Sequence, residues 1–482
     1  MFHISDIKKF IHCERLYYLS KDKDNSFQPY LRSDESINDL LVEYYGIDKC
    51  YFGEKNDKPE RFFREIDNYE WFCHPRFCDN ELRINIPFMH KNNREFDVYF
   101  IYYGTLIKDL DLMTYSISLD VLRKSNIDIG HVYLTYFNPN YVRGDSLEPK
   151  KLFITDEYFK DELILDLINK YKFDYSSVIK QIENYNLDSS EYKKSKYCRQ
   201  IGICDYYSTC FPNEEDISDD SILTLVSCKN KNDMFSSGIT ELKNVDLDSI
   251  DGNRVQYAQI MASRNNGIFV DKIALKDWLK QFENKQISFI DFEWDRYLVP
   301  PYINMKPMDV LCFEFALYYY DTNVQLQHET FVGTKDCREE FIIKLLECLP
   351  LDGPILAYNA DGAEKIRLSE LARMFPKYES ELNKVIDRFV DLATPFVDGI
   401  IYDIRMRGDY TLKKLVDIVS DYSYSNLEIN DGMSAVYNWR NIDKNGIDDS
   451  VVDNLKKYCS LDAYGLILVY NWLIKIIDES KK

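Results

Sequence analysis

An Asp-x-Glu pair, Asp291 and Glu293, closes the apolar run Ser288-Phe-Ile-Asp-Phe-Glu293. Side chains alternate along a strand with a period of two, so both carboxylates fall on one face. Two charges on a largely buried strand are costly unless a cation or a partner satisfies them, and a divalent metal ion is a natural occupant. A strand end with solvated acids is the plainer alternative for an isolated pair. Further acids follow in an order that carries information. Ile355-Leu-Ala-Tyr-Asn-Ala-Asp-Gly-Ala-Glu364 reads as a strand running into a helix and offers Asp361 and Glu364. Asp391 follows the apolar pair Phe389-Val390, and Tyr458 and Asp462 stand four apart in a helical pattern, which places phenol and carboxylate on one helix face. Such a set can hold divalent ions of the kind that act on phosphate esters.

A second constellation is made of sulfur. Cys198, Cys204 and Cys210 recur at equal intervals among Gly, Asp, Ser and Pro, the composition of an irregular loop. Thiolates converging from a loop are what iron–sulfur or zinc ligation requires, whereas buried structural cysteines more often sit within regular apolar patterns. Three ligands are one short, and Cys13 in the first helical segment is the candidate fourth. A third feature is basic. Ile404-Arg-Met-Arg-Gly-Asp-Tyr-Thr-Leu-Lys-Lys414 gathers Arg405, Arg407, Lys413 and Lys414 as a candidate phosphate track. A solvated helix start capped by Thr411 or Asp409 is the competing reading.

These residues need elements to hold them. The pattern over 286–482 alternates strand and helix: ISFIDFEW, LCFEFALYYY, CREEFIIKLLECL, GPILAYNA, AEKIRLSELARMF and a long helix from about Ser450 to Ile477. That alternation predicts an α/β domain. Residues 1–212 look mixed α/β, with a first helix behind the candidate N-cap Ser5 and strands over 95–103 and 131–137. Residues 213–285 open on the acidic piece Asn213-Glu-Glu-Asp-Ile-Ser-Asp-Asp220 and read as a helical connector, with helices around 254–262 and 273–282. No internal repeat or heptad run is present.

Composition bounds the rest. The 482 residues carry 81 acidic and 60 basic side chains, a formal charge of −21, and 45% are apolar and 15% aromatic. Disordered and collagen-like classes are thereby excluded. The acidic balance argues against a protein that coats nucleic acid by charge alone, and leaves room for a nucleic-acid enzyme with a local basic track. Twelve cysteines without a signal-peptide pattern point to a reducing compartment. No sequence run approaches the roughly 18 uncharged apolar residues of a spanning helix, so a cytoplasmic protein with no membrane association is expected.

Asp-x-Glu on a first strand, an acid after an intermediate strand and Tyr-x-x-x-Asp on a late helix resemble the DEDD exonucleases of ribonuclease H-like fold, in the subtype that carries tyrosine. The resemblance implies a 3′ to 5′ exonuclease acting on DNA or RNA, with in-line attack of water on the terminal phosphodiester. Asp291, Glu293, Asp462 and a middle acid would hold two Mg²⁺ or Mn²⁺ ions about 4 Å apart, and Tyr458 would orient the water. The middle motif departs from the usual pattern, because Asn359 is followed by Ala-Asp-Gly-Ala-Glu without the aromatic residue. Glu364 is favoured, at the expected helix start, and Asp361 is its rival; Asp391 is either a further metal ligand or structural.

One cysteine in the first helix and three after the α/β core resemble the iron–sulfur RecB-like nucleases, of PD-(D/E)XK type. That likeness implies a 4Fe-4S cluster on Cys13, Cys198, Cys204 and Cys210, with Zn²⁺ as the alternative. Relatives of this type cut DNA with an Asp followed by Glu-x-Lys. Here Asp97 supplies the Asp and Leu106-Ile-Lys108 offers a lysine without its carboxylate, unless Asp109 or Asp111 substitutes, so a fold without cleavage is expected. The run Tyr133 to Gly144 also resembles this group. The combination resembles a bacterial family that joins the two domains, with Tyr358-Asn-Ala, Asn430-Asp-Gly-Met-Ser-Ala435 and Tyr458-Cys-x-x-Asp462 as supporting motifs. Readings from other classes are a catalytically dead nucleic-acid-binding scaffold and an iron–sulfur redox sensor.

Overall fold

The computed structural model describes residues 1–21, 31–187, 198, 204–211, 217–250, 253–321, 323–424 and 427–479. It is a mixed α/β protein with several sheets. The chain divides into two compact units, one of residues 1–192 with 297–309 and the other of residues 193–296 with 310–482. The boundary expected at 212/213, with part of the acidic piece after it, lies outside the described residues.

In the first unit a sheet runs in the order Phe153–Asp156, Ile129–Phe137, Glu95–Tyr102, Phe88–Asn92, Trp71–Cys73, Cys50–Phe52. Glu95–Tyr102 and Ile129–Phe137 are parallel, so a crossover must join them, and the helix Leu112–Lys124 supplies it. Asp111 starts that helix by accepting the Thr114 N–H, and Arg123 and Lys124 sit in its last turn, where cations suit the helix dipole. Phe62, Phe72, Phe77, Val98, Leu119 and Leu134 are buried in one core. The first helix spans Ile4–His12, so Ser5 lies inside its first turn; the capping oxygen belongs instead to Asp6, which accepts the His3 N–H at 2.8 Å.

The second unit is built on a sheet ordered Leu326–Val332, Val310–Tyr320, Ser288–Tyr297, Ile355–Ala357, Phe389–Asp391. The first three strands are antiparallel, and Ser288–Tyr297 pairs in parallel with the short strand Ile355–Ala357. Parallel neighbours again need crossovers, made by the helices Arg338–Cys348 and Glu364–Met374. The edge strand Leu326–Val332 was not legible in the sequence: its exposed and half-exposed residues alternate with few apolar ones. Residues 217–285 contribute helices Arg254–Arg264 and Lys272–Leu279.

Asp449–Glu479 is, among the described residues, the one helix long and apolar enough to cross a membrane. It buries Leu455, Tyr458, Cys459, Asp462, Ala463 and Leu466, and Cys459 and Ala463 pack against Ala316 of the sheet. A stripe of that width identifies a helix laid against a core.

Candidate metal and active site

The face of the sheet under the Asp449–Glu479 helix carries the acids. In antiparallel register Asp291 lies opposite Ala316, and Glu293 opposite Glu314. The register then slips between Glu293 and Trp294, which pairs with Cys312, so Phe313 is the extra residue of a bulge. Bulges of this kind re-aim side chains beside functional sites. Phe313 is fixed there by a stack on Trp439 at 4.5 Å, and the Trp439 indole donates to the Gly333 carbonyl at 2.8 Å.

Asp462 is brought to the strand by the long helix. Ligand atoms of Asp291, Glu293 and Asp462 all lie within 4.8 Å of one another, and no other group of three or more His, Cys, Asp or Glu among the described residues does so. Burial, then Asp462, Glu293 and Glu364, hold the Asp291 carboxyl well above its ordinary range. Glu293 is raised well above its own by burial, Asp462 and Glu314, with the Lys413 charge opposing. Burial raises Asp462 too, while hydrogen bonds from Tyr424 and Tyr458 and the charge of Lys413 pull it back. Such a set is poor in positive charge and rich in hard oxygen donors, which is what Mg²⁺ and Mn²⁺ bind.

Tyr458 is 3% exposed and sits edge-on to Tyr424 with ring centroids 6.3 Å apart. The Lys413 ammonium lies over both rings, 4.9 Å from Tyr458 and 5.1 Å from Tyr424, and donates to the Asn430 carbonyl at 2.8 Å. The Asn430–Ala435 motif thereby borders the acids: a methyl group built on Gly432, the first residue of helix Gly432–Asn445, would stand 3.8 Å from Glu293 Oε2. Helix N-termini favour a neighbouring carboxylate. Cys459 Sγ lies 3.5 Å from Asp291 Oδ2.

The two rival middle acids are placed differently. Asp361 is 72% exposed in its side chain and pairs with Lys365 at 2.6 Å. Glu364 opens the helix Glu364–Met374, is 2% exposed, and its Oε2 has no hydrogen-bond partner. Burial pushes its carboxyl up to about 8, and Glu364 in turn raises Asp291. Asp391 has a visible structural task. Its Oδ1 accepts the N–H of Asn359 and of Ala393, each at 2.8 Å, which ties the strand end Phe389–Asp391 to the turn that leads to Glu364. Asn359 has φ +61°, a conformation asparagine tolerates better than most residues.

The basic segment is partly consumed by local pairing. The Arg405 fork holds Asp403 through Nε at 3.0 Å and Nη2 at 2.7 Å, and Arg407 donates to the Ile217 carbonyl at 2.8 Å. Lys413 faces the two tyrosines, and Lys414 is half-exposed on the helix Leu412–Val419. Thr411 is the N-cap residue of that helix without a side-chain capping bond, and Asp409 accepts the Thr411 N–H at 2.9 Å.

Cys13 lies in the first unit between helices Ile4–His12 and Glu14–Leu19. Cys198, Cys204 and Cys210 fall in the second; the Cys204 N–H donates to the Cys198 carbonyl at 3.0 Å, and Cys210 ends the short helix Tyr207–Cys210. Residues 199–203 between them lie outside the described residues. Asp97 is 6% exposed on Glu95–Tyr102, accepts the His131 N–H at 3.0 Å and stands 3.9 Å from His90 Nδ1. Lys108 is exposed in the loop before the crossover helix rather than on a strand.

Two residues of the site escaped the sequence reading. Glu314 is 0% exposed and neither of its carboxylate oxygens has a hydrogen-bond partner; burial and Asp462 raise it well above its ordinary range. The signal was there, a lone acid inside the apolar run Leu311-Cys-Phe-Glu-Phe-Ala-Leu317. Tyr424, which donates to Asp462, comes from an irregular segment with no periodicity to betray it.

Residues 288–411 match the profile of a family described as a domain of unknown function (DUF2779). That stretch contains Asp291, Glu293 and Glu364 and stops before Tyr458 and Asp462. No curated protein matches the chain. Among solved structures, the family B DNA polymerase from the hyperthermophilic archaeon Pyrobaculum calidifontis aligns with 15% identity and a TM-score of 0.27, over 39% of this chain and 24% of the polymerase. The chain thus spans about a quarter of that protein's length, and at this TM-score the likeness carries no argument about function.

Proposed function

We propose that residues 286–482 form a metal-dependent 3′ to 5′ exonuclease of the tyrosine-bearing DEDD type, with a ribonuclease H-like fold, that hydrolyses phosphodiester bonds of DNA or RNA in the cytoplasm. The observation that carries the proposal is the convergence of Asp291, Glu293 and Asp462, from a strand and a helix distant in sequence, to within 4.8 Å. Their fit to the implied ions rests on the donor set itself: carboxylates raised above their ordinary range by burial, and in Asp291 and Glu293 also by neighbouring acids, with unpartnered oxygens nearby on Glu314 and Glu364. Leaving such groups unpaired costs roughly 1–3 kcal/mol each, and more for charges.

Two divalent ions bound there would polarise the scissile phosphate and lower the pKa of the attacking water. Asp291, Glu293 and Asp462 would hold those ions, with Glu364 as the favoured fourth acid. Burial and Asp462 push the Tyr458 phenol far up, so its hydroxyl stays protonated and acts by hydrogen bonding, aligning a water rather than taking its proton. Tyr424 keeps Asp462 Oδ1 in one orientation. Lys414, half-exposed on the helix Leu412–Val419, is the cation of this segment best placed for the nucleic-acid backbone, since Arg405 is engaged by Asp403, Arg407 by the Ile217 carbonyl, and Lys413 by the Asn430 carbonyl and two tyrosine rings. Residues 1–212 are proposed to be a degenerate PD-(D/E)XK-like region with a 4Fe-4S cluster on Cys13, Cys198, Cys204 and Cys210, or Zn²⁺ in its place, gripping nucleic acid without cutting it.

Purified protein incubated with 5′-labelled DNA and RNA, with Mg²⁺, Mn²⁺ or EDTA, tests the reading. A ladder shortening from the 3′ end, dependent on the ion, is expected; intact substrate under every condition would favour the scaffold instead.

A further inference from the structure

Glu314 stands in the middle of Val310–Tyr320, a strand whose first eight residues are all buried. Directly opposite it on the neighbouring strand is Glu293, so the two carboxylates share one face of the sheet. Like charges directly opposite across a ladder repel, with Cβ atoms about 5 Å apart. Two buried acids away from the Asp291 cluster have evident partners: Asp295 takes Arg440 at 2.6 Å, and Asp403 takes Arg405 at 2.7 Å. Glu314, fully buried, has none on either oxygen. The bulge at Phe313 adjoins it and aims this part of the strand, and among the described residues Lys456 on the long helix is the cation that moderates it, without forming an ion pair.

A carboxylate buried here without a hydrogen-bond partner must either keep its proton or meet a positive charge, and among the described residues no side chain forms an ion pair with it. We propose that Glu314 is a further ligand of the divalent-ion site, reaching the ion that Glu293 holds either directly or through one water. The inference rests on the proposed metal site and adds to its ligand set. Charge balance agrees: Asp291, Glu293, Glu314, Glu364 and Asp462 are matched by two divalent ions and the Lys413 ammonium, whose charge acts on both Glu293 and Asp462. Glu314 lies outside the trio within 4.8 Å, so it closes on the ion by turning its flexible side chain.

Calorimetric titration of the full chain with Mn²⁺, paired with melting curves in EDTA and in Mn²⁺, tests this without an activity readout. Wild type should bind two ions, and Glu314→Gln should weaken one of them about 10-fold or more, with a smaller Mn²⁺-induced rise in melting temperature and no loss of stability in EDTA. Unchanged binding by Glu314→Gln, while Asp291→Asn loses it, overturns the role of Glu314 and leaves the metal site standing. A wild type that binds no Mn²⁺ overturns both. Should Glu314→Gln melt lower in EDTA, Glu314→Asp decides, since it keeps the charge and shortens the reach: weakened Mn²⁺ binding supports the proposal and unchanged binding overturns it.

Discussion

Tyr424 donates its hydroxyl hydrogen to Asp462 Oδ1 over 2.7 Å, in a buried setting where Lys413 caps both Tyr424 and Tyr458. The bond holds the Asp462 carboxylate in one orientation, and in the proposed metal site it would act as outer partners do for metal-ligating side chains in general, by selecting one rotamer and one oxygen. Tyr424→Phe keeps the ring and its contact with Tyr458 and removes only the hydroxyl. We expect a fall of about 10-fold in kcat and in affinity for Mn²⁺, with KM for nucleic acid little changed. Steady-state kinetics and Mn²⁺ titration on the variant check this; wild-type kcat would show that Asp462 needs no such support.

Stability should depend on pH in a direction set by the acids. Burial raises the Glu364 carboxyl to about 8 and lifts Asp291, Glu293 and Glu314 well above their ordinary range. A folded-state pKa above the unfolded one means the folded protein binds the extra proton, so the stability it contributes is full below about pH 4.5 and is lost as pH rises toward 8. Metal-free protein should therefore melt at a lower temperature near pH 8 than near pH 5.5, and Mg²⁺ should recover most of the difference by favouring the ionised acids. A melting temperature in EDTA that is flat or rising over this range would contradict the account.

Protein purified without oxygen should contain iron and sulfide in the ratio of a 4Fe-4S cluster, and replacement of any one of Cys13, Cys198, Cys204 or Cys210 by Ser should release it. Elemental analysis and the visible absorption spectrum report this. One zinc per chain and no iron would replace the cluster with a zinc site.

The first unit should contribute grip and no chemistry. Asp97 has His90 and the His131 N–H around it, and Lys108 stands in an exposed loop, so no Glu-x-Lys completes a cradle. Asp97→Ala should leave the cleavage rate of a short end-labelled substrate within about twofold. Cleavage that survives Asp291→Asn and vanishes in Asp97→Ala would assign the chemistry to the wrong unit.

Much of the site was legible because its acids interrupt regular patterns. Asp291 and Glu293 stand out against an apolar strand, and Tyr458 and Asp462 share a helix face by spacing alone. The choice between Asp361 and Glu364 needed the turn: helix initiation at Glu364 buries that side chain and leaves Asp361 to Lys365. Arg405 illustrates the limit in the other direction, since a cation counted toward a phosphate track is claimed by an acid only two residues earlier, Asp403. Tyr424 and Glu314 join the site through tertiary contacts and cross-strand register, neither of which has a local signature. The same holds for Leu326–Val332, whose half-exposed edge position removes the apolar alternation that marks a strand.

The central claim is that the carboxylates around Asp291 cleave phosphodiester bonds. Single-turnover hydrolysis of 5′-labelled oligonucleotide by wild type, Asp291→Asn and Asp462→Asn, purified side by side and assayed in Mg²⁺, tests it most directly. The account predicts stepwise shortening from the 3′ end by wild type and a loss of about 10²-fold or more in each variant; equal rates in all three proteins would contradict it.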